Sequence, residues 1–121
     1  MSIRPFSFPK TRRLLNAKEF EQVFAQNECR ASHQYFLILA RPNQSLKPRL
    51  GLVIAKKHIR LAVGRNRIKR LIRESFRQRQ HQLPGIDAIV LARKGLDELD
   101  NHRIQKILDQ LWRKIQNKCK K

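Results

Sequence analysis

The sequence predicts a single α+β or α/β domain in which helices pack on a small sheet. Segments of helical and strand-type periodicity alternate in the order helix, strands, helix, strand, helix. A length of 121 residues suits one compact unit with one modest core. Because no internal repeat or dividing linker is visible, we expect one domain over residues 1–121.

The first regular element is a short helix, predicted over about residues 17–26. Asn16 is a typical N-cap residue, and Glu19 three residues later completes the pattern of a capping box. Phe20 and Phe24 then lie at helical spacing, together with a valine between them. Both phenylalanines can pack in the core or line a binding surface, and the pattern leaves these alternatives open.

Three apolar segments predict strands. QYFLILAR at 34–41 is apolar nearly throughout and ends at a proline, which is typical of a buried strand. RLGLVIAKK at 49–57 follows a polar turn and is predicted to be its antiparallel neighbour. DAIVLARKG predicts a further strand at about 87–92.

Two longer helices are predicted, one over about residues 62–80 and one at the carboxyl end. The last segment opens with acids and closes with bases, which suits the helix dipole. Trp112 lies beside its apolar stripe, where core packing is the expected role. We expect the ends of the chain, about 1–13 and 117–121, to be a flexible basic arm and a short basic tail.

The charge balance is strongly one-sided. Lys and Arg number 28 against 9 Asp and Glu, for a net charge of +19. Such self-repulsion favours a polyanionic partner, with nucleic acid as the first candidate and an anionic membrane surface as the second. No apolar run is long enough to cross a bilayer, and the first residues lack the apolar centre of a signal peptide.

Residues that could perform protein-based catalysis are scattered. The four histidines stand singly, and Cys29 and Cys119 form no metal-binding pattern. Two cysteines are too few for a disulfide framework, so we expect free thiols in a reducing cytoplasm. The glycines form no phosphate-binding loop. The sequence therefore predicts neither a catalytic residue nor a metal site in this chain.

The segment RNRIKRLIRESFR, residues 65–77, combines cations with regularly spaced apolar residues. On a helix, Asn66, Arg70, Arg73 and Arg77 follow at spacings of four, three and four, so they form one stripe. The apolar residues fall on the opposite side and can dock onto the sheet. An ordinary solvated face would mix charge signs, because like charges one turn apart repel each other.

The predominance of arginine in this stripe favours nucleic acid over a membrane surface, because the planar guanidinium suits bidentate phosphate contacts. The preceding segment is strand-like, so no helix-turn-helix is predicted. Aromatic residues on the strands suit stacking with unpaired bases, and we therefore favour RNA over DNA.

The same segment, preceded by GLVIAKK and followed by DAIVLARKG, resembles the protein subunit of bacterial ribonuclease P. The similarity extends from LLNAKEFEQVF through LWRK, which is nearly the whole chain. A basic helix alone would be a weak signal, whereas this ordered set of motifs is specific.

The resemblance implies an α-β-β-β-α-β-α sandwich with an unusual left-handed crossover, the ribosomal protein S5 domain 2-like fold. A further short strand is then expected near Arg30–Ser32. Right-handed crossovers are the general rule, so periodicity alone would not suggest this topology.

The resemblance also implies a function. In that family a large RNA removes the 5′ leader of precursor tRNA with Mg²⁺ ions, and the small protein binds this RNA and the single-stranded leader. We therefore expect the Mg²⁺ to be held mainly by the RNA subunit. The partners would be the catalytic RNA and precursor tRNA, in the cytoplasm, without membrane or DNA.

The family's functional positions map onto two sets of residues. The catalytic-RNA-binding residues are Arg65, Asn66, Arg67, Lys69, Arg70, Arg73 and Arg77. The leader-binding residues are Phe20, Phe24, Phe36, Ile38, Lys56 and Lys57. A structural ribosomal protein and a DNA-binding regulator are the rival hypotheses, because counterion release favours any nucleic acid.

Overall fold

The computed structural model describes residues 16–43 and 47–119, so the predicted basic arm at 1–13 lies outside the described residues. The elements are α1 (Ala17–Ala25), β1 (Cys29–Ser32), β2 (Phe36–Pro42), β3 (Arg49–Val53), α2 (Ala62–Arg79), β4 (Ile86–Ala92), a 3-10 turn (Leu96–Glu98) and α3 (Asn101–Lys118). The predicted α+β class and element order are confirmed, including the short strand expected near Arg30–Ser32.

The strands form one mixed sheet in the order β1-β2-β4-β3. β2 is antiparallel to both β1 and β4, whereas β3 is parallel to β4. The prediction that the segment at 49–57 pairs antiparallel with the strand at 34–41 is therefore wrong. β4 lies between them because its nearly continuous apolar run is buried on both faces, as a central strand requires. The handedness of the β3–α2–β4 crossover stays an expectation of the resemblance.

Helices cover the two faces of the sheet unequally. On one face, α2 and α3 enclose the larger core with residues such as Phe36, Ile38 and Val90. On the other face, α1 packs through Val23 against Leu39 and a buried isoleucine of β4. The short α1 leaves Leu37, Val53 and Leu91 on that face only partly buried, and we call this open strip beside α1 the cleft.

Trp112 joins the two helices of the larger layer. Its indole is fully buried and donates a hydrogen bond of 3.0 Å to the Ser75 Oγ of α2. The Ser75 hydroxyl in turn donates to the carbonyl of Ile72, and the Trp112 ring centroid lies 5.5 Å from that of Phe76. The predicted core role of Trp112 is confirmed, and its contacts fix α2 against α3.

The first helix begins as the sequence predicts. The Asn16 side chain accepts a hydrogen bond from the Glu19 amide, and the Glu19 carboxylate accepts one from the Asn16 amide. This reciprocal capping box satisfies two amides that have no partner within the helix. It therefore fixes where α1 starts relative to the sheet.

The cysteines differ from their predicted state. Cys29 of β1 and Cys119 directly after α3 form a disulfide, with their Cα atoms 5.8 Å apart. Both cysteines are buried, and the prediction of free thiols is wrong for this structure. Sequence reasoning could not pair them because 90 residues separate them, and only the packing of α3 along β1 brings them together.

No helix within residues 16–43 and 47–119 is both long and apolar enough to cross a lipid bilayer.

Candidate nucleic-acid interface

One face of α2 is docked and the opposite face presents cations. Ile68, Leu71, Ile72 and Phe76 are buried against the sheet and α3. Asn66, Arg70 and Arg73 are exposed, and Arg77 is half-buried. We call Asn66, Arg70, Arg73 and Arg77 the cationic stripe. The structure confirms its predicted outward orientation, with a half-buried Lys69 at its side.

The start of α2 adds to the positive potential of this face. Leu61 occupies the N-cap position without a capping side chain, and no acid lies in the first turn. The amide groups and dipole at this end therefore keep a partial positive charge that favours an anion. Leu61 and Val63 are also 70% and 74% exposed, and the sequence analysis did not identify this pair of exposed apolar residues.

The single acid of the helix compensates part of the charge of Arg77. Glu74 and Arg77 form an ion pair one turn apart. The hydrogen bond from Arg77 holds the pKa of Glu74 below its usual value, and the same bond raises the pKa of the Arg77 guanidinium. Arg77 is therefore a weaker candidate for a phosphate contact than Arg70, which is exposed and forms no ion pair in the described part of the chain.

Arg65 and Arg67 lie differently from the stripe. The Arg65 guanidinium donates to the carbonyl oxygens of Ile59 and Arg60 at 3.0 and 2.8 Å. The Arg67 guanidinium donates to Asn101 Oδ1 at 2.6 Å and to the Leu99 carbonyl at 3.0 Å. Both were predicted to contact the catalytic RNA, but in this structure Nη1 of Arg65 and both Nη atoms of Arg67 donate to the chain itself.

A second candidate surface is the cleft between α1 and the sheet. Phe20 is partly buried against the small core, and Phe24 remains 46% exposed. Their ring centroids lie 6.5 Å apart in a stacked arrangement. The floor of the cleft consists of partly buried aliphatic residues on three strands: Leu37, Val53 and Leu91.

Two residues predicted to bind the leader lie elsewhere. Phe36 and Ile38 are fully buried in the larger core, on the face that carries α2 and α3. Direct contact of Phe36 or Ile38 with a ligand in the cleft is therefore contradicted. Neighbouring strand residues point to opposite faces, so the residue between them, Leu37, faces the cleft instead. The alternation was visible in the sequence, but the face that α1 covers was not.

The two lysines predicted for leader binding, Lys56 and Lys57, are exposed in the turn that follows β3. β3 itself ends at Val53, earlier than the predicted end at residue 57. The lysines therefore extend from a turn instead of a strand and leave their ammonium groups in solvent. Their contact with a leader stays a prediction.

An ion network holds α1 beside the cleft. Arg49 of β3 donates two bonds of 2.8 Å to the carboxylate of Asp87 on β4 and also pairs with Glu19 of α1. The Asn43 amide donates to the same Asp87 carboxylate at 3.0 Å. The hydrogen bond to Asp87 is the main reason that the pKa of Arg49 is raised. Sequence reasoning missed this network, because its members come from separate segments.

The described residues do not offer a protein metal site. Within 16–43 and 47–119, no three His, Cys, Asp or Glu side chains lie close enough together to hold a metal ion. The pKa of His33 is lowered mainly by burial and then by Lys114, Arg103 and Arg93. This cationic environment would oppose a metal cation at His33.

A small α+β domain with a one-sided cationic helix and a partly open apolar sheet face has the features of a nucleic-acid-binding protein. Comparison with known proteins narrows this class. The family model described as Ribonuclease P matches residues 8–116. The ribonuclease P protein component of Chromohalobacter salexigens is 46% identical over 114 residues, covering 94% of this chain and 89% of that protein. That of Proteus mirabilis is 53% identical over 108 residues, covering 89% and 90%.

Solved structures agree with the sequence comparison. The RNase P protein of Staphylococcus aureus superposes with a TM-score of 0.78 at 28% identity, covering 86% of this chain and 94% of that one. That of Thermotoga maritima gives a TM-score of 0.72 at 32% identity, covering 84% and 96%. The chain therefore belongs to the ribonuclease P protein family. It is a protein subunit of an endoribonuclease complex, and its membership implies an RNA subunit as partner.

Proposed function

We propose that the chain binds the catalytic RNA of ribonuclease P through the cationic stripe and the single-stranded 5′ leader of precursor tRNA through the cleft. By holding both, it promotes endonucleolytic removal of the leader and leaves the mature 5′ end of the tRNA. The observation that carries this proposal is the placement of two different surfaces on opposite sides of one sheet.

The stripe suits a folded RNA. Arg70 and Arg73 lie about one turn apart on the exposed side of a helix whose opposite side is anchored in the core. A rigid row of guanidinium groups can follow successive phosphates without losing much conformational freedom on binding. The excess of 28 cations over 9 acids supplies the long-range attraction that such a complex needs.

The cleft suits an unpaired strand. Its floor is aliphatic, and the exposed ring of Phe24 offers a face on which a base can stack. Stacking tolerates any base, which fits a leader that differs from one precursor tRNA to another. Lys56 and Lys57 lie in the turn that leaves β3 and can neutralise phosphates there.

The chemistry of cleavage belongs to the RNA in this proposal. The scattered acids and histidines of the described residues do not fit a Mg²⁺ site. Phosphate oxygens of the RNA would hold the metal ions, since Mg²⁺ prefers oxygen ligands and keeps several waters. The protein contributes binding and orientation, and the complex would act in the cytoplasm.

Reconstitution tests the proposal directly. The cognate catalytic RNA is incubated at low Mg²⁺ with precursor tRNA labelled at its 5′ end, with and without this chain. We expect the chain to increase release of the leader, and polylysine at equal charge to fail as a substitute. Cleavage by the purified chain without RNA would contradict the proposal. So would co-sedimentation with ribosomal subunits and no effect on cleavage.

A further inference from the structure

Arg65 and Arg67 flank the exposed Asn66, but they point to opposite sides of α2. Residues two positions apart on a helix are separated by about 200° around its axis. Arg65 reaches back to the connection that precedes the helix, at the carbonyls of Ile59 and Arg60. Arg67 reaches forward to the segment that leads into α3.

Arg67 makes the more extensive contact. Its Nη1 donates to Asn101 Oδ1 at 2.6 Å, and its Nη2 donates to the carbonyl of Leu99 at 3.0 Å. Asn101 is the first residue of α3, so this contact joins the amino-terminal ends of both helices. Along α2 it lies about two turns from Ser75, which accepts the hydrogen bond from Trp112 of α3. A third polar link, between Arg79 and Asp109, lies at the carboxyl end of α2.

The hydrogen bonds of Arg65 and Arg67 take the place of a side-chain cap, which α2 lacks. α2 starts at Leu61 without a side-chain cap, so no local group fixes its first turn. Gly64 adds little packing there, although an added Cβ would lie only 3.1 Å from the Ile59 side chain. The two guanidinium groups are therefore the main polar restraints on this end of the helix among the described residues.

We propose that Arg65 and Arg67 are positioning residues, which set the place and rotation of α2, whereas contact with RNA falls to Asn66, Arg70 and Arg73. This inference rests on the proposed function, because it assigns roles within the surface that binds the catalytic RNA. It also divides a motif whose residues were all predicted to touch RNA.

The chemistry of lysine provides a discriminating test. A guanidinium has donors on several nitrogens and can bridge separate acceptors, whereas an ammonium is a single point charge. Arg67→Lys and Arg65→Lys keep the charge and lose the bridges. Arg113→Lys is the control, because it keeps the charge at an exposed arginine of α3 with no ion pair in the described part of the chain.

The experiment measures binding of the cognate catalytic RNA by the full chain at several salt concentrations. We expect Arg67→Lys to weaken binding by about tenfold, the effect of losing one hydrogen bond to a charged group. Arg65→Lys should weaken it less, because it loses carbonyl contacts within its own connection. Arg113→Lys should stay within about twofold of the wild type, since Arg113 lies on α3, outside the cationic stripe.

A second variant tests the same contact without changing a cation. Asn101→Ala deletes the Arg67 partner on α3 and alters no charge. We expect it to weaken RNA binding by about threefold to tenfold. Its effect should not add to that of Arg67→Lys, because both remove the same contact. Circular dichroism and urea unfolding are used to check that every variant is folded under the conditions of the binding measurement.

The results distinguish failure of the positioning role from failure of the proposed RNA-binding surface. Wild-type affinity in Arg65→Lys, Arg67→Lys and Asn101→Ala, together with loss in Arg70→Ala, would overturn the positioning role and leave the proposed function intact. Unchanged affinity in Arg70→Ala as well, or no binding by the wild type, would reject the RNA-binding surface itself. Additive effects of Arg67→Lys and Asn101→Ala would also count against positioning through this contact.

Discussion

The guanidinium of Arg49 donates two hydrogen bonds to the carboxylate of Asp87, each 2.8 Å long. The pair joins the parallel strands β3 and β4, and Arg49 extends further to Glu19 in the capping box of α1. One arginine therefore connects the edge strand, the central strand and the helix that borders the cleft. Its role is structural, whereas most cations among the described residues are exposed to solvent.

Replacing Asp87 should destabilise the fold. Asp87→Asn keeps the shape of the side chain and removes the more buried of the two carboxylates that pair with Arg49. Because the Asp87 side chain is only 6% exposed, we expect the free energy of unfolding to fall by about 1–3 kcal/mol. Urea unfolding at neutral pH measures this change.

A matched control is Asp109→Asn, which breaks the pair between Arg79 and Asp109. The Asp109 side chain is 49% exposed, so the expected loss is below about 1 kcal/mol. Equal losses in Asp87→Asn and Asp109→Asn would show that the network around Arg49 stabilises the fold no more than an exposed ion pair does.

The salt dependence of RNA binding should report on Arg70. If its guanidinium neutralises one phosphate, Arg70→Ala lowers the slope of log affinity against log salt by about 0.7–0.9. Binding of the catalytic RNA is measured from low to moderate salt. Lys114→Ala is the control, because this exposed cation lies on α3 near His33 and outside the stripe. A slope that Arg70→Ala leaves unchanged, or that both variants lower equally, argues against the stripe.

The cleft should distinguish precursor from mature tRNA. Phe24→Ala removes the exposed ring and should weaken binding of leader-containing substrate at least about fivefold, the lower range for base stacking. Binding of mature tRNA by the reconstituted complex should change little. Phe20→Ala should act in the same direction, because its ring stacks on Phe24.

Phe36→Leu is the corresponding control for a core residue. It trims a fully buried side chain and should lower stability by up to about 1.5 kcal/mol. We expect the ratio of precursor to mature tRNA affinity to stay constant, because Phe36 lies on the other face of the sheet. A ratio that falls in Phe36→Leu and not in Phe24→Ala would reverse the assignment of the faces.

The disulfide should contribute measurably to stability. Cys29 and Cys119 close a large loop, with a separation of 90 residues, so reduction should lower the free energy of unfolding by about 2–4 kcal/mol. Urea unfolding with and without reductant tests this expectation. If the protein acts in the cytoplasm, as proposed, the reductants there would keep the pair as thiols, so activity is to be measured in both forms.

Thiol titration in denaturant checks the bond independently. Protein purified without reductant should show no reactive thiol, and reduced protein should show both. Cys119→Ser should unfold at the same urea concentration with and without reductant. If the unreduced wild type already reacts at both cysteines, the bond does not form in solution.

Local patterns gave reliable predictions of elements, and pairing between elements was less predictable. The predicted helix at 62–80 is observed as Ala62–Arg79, and the capping box at Asn16 and Glu19 forms as expected. Helical periodicity and capping depend on residues three or four positions apart, which the sequence displays directly. The antiparallel pairing of the segment at 49–57 was wrong, because β4 enters the sheet from much later in the chain.

For the candidate interface, too, local features were predictable from the sequence and contacts between segments were not. Periodicity was sufficient to orient the cationic stripe, since the apolar side of α2 must be buried wherever the helix docks. It could not reveal that Arg65 and Arg67 bond to carbonyls and to Asn101, because those acceptors are placed by other segments. Nor could it choose between Phe36 and Leu37 as the cleft residue, because a strand in the centre of a sheet is apolar on both faces.

The amino-acid sequence by itself indicated a polyanionic partner, through a net charge of +19, and the outward direction of the cations on α2. Tertiary structure alone decided that Arg65 and Arg67 bond within the chain and which sheet face is left open beside α1. It also decided that Cys29 forms a disulfide with Cys119. The physical reason is the range of the interactions. Charge and helical spacing act within a segment, whereas hydrogen-bond acceptors, sheet faces and a disulfide partner are supplied by residues that only folding brings together.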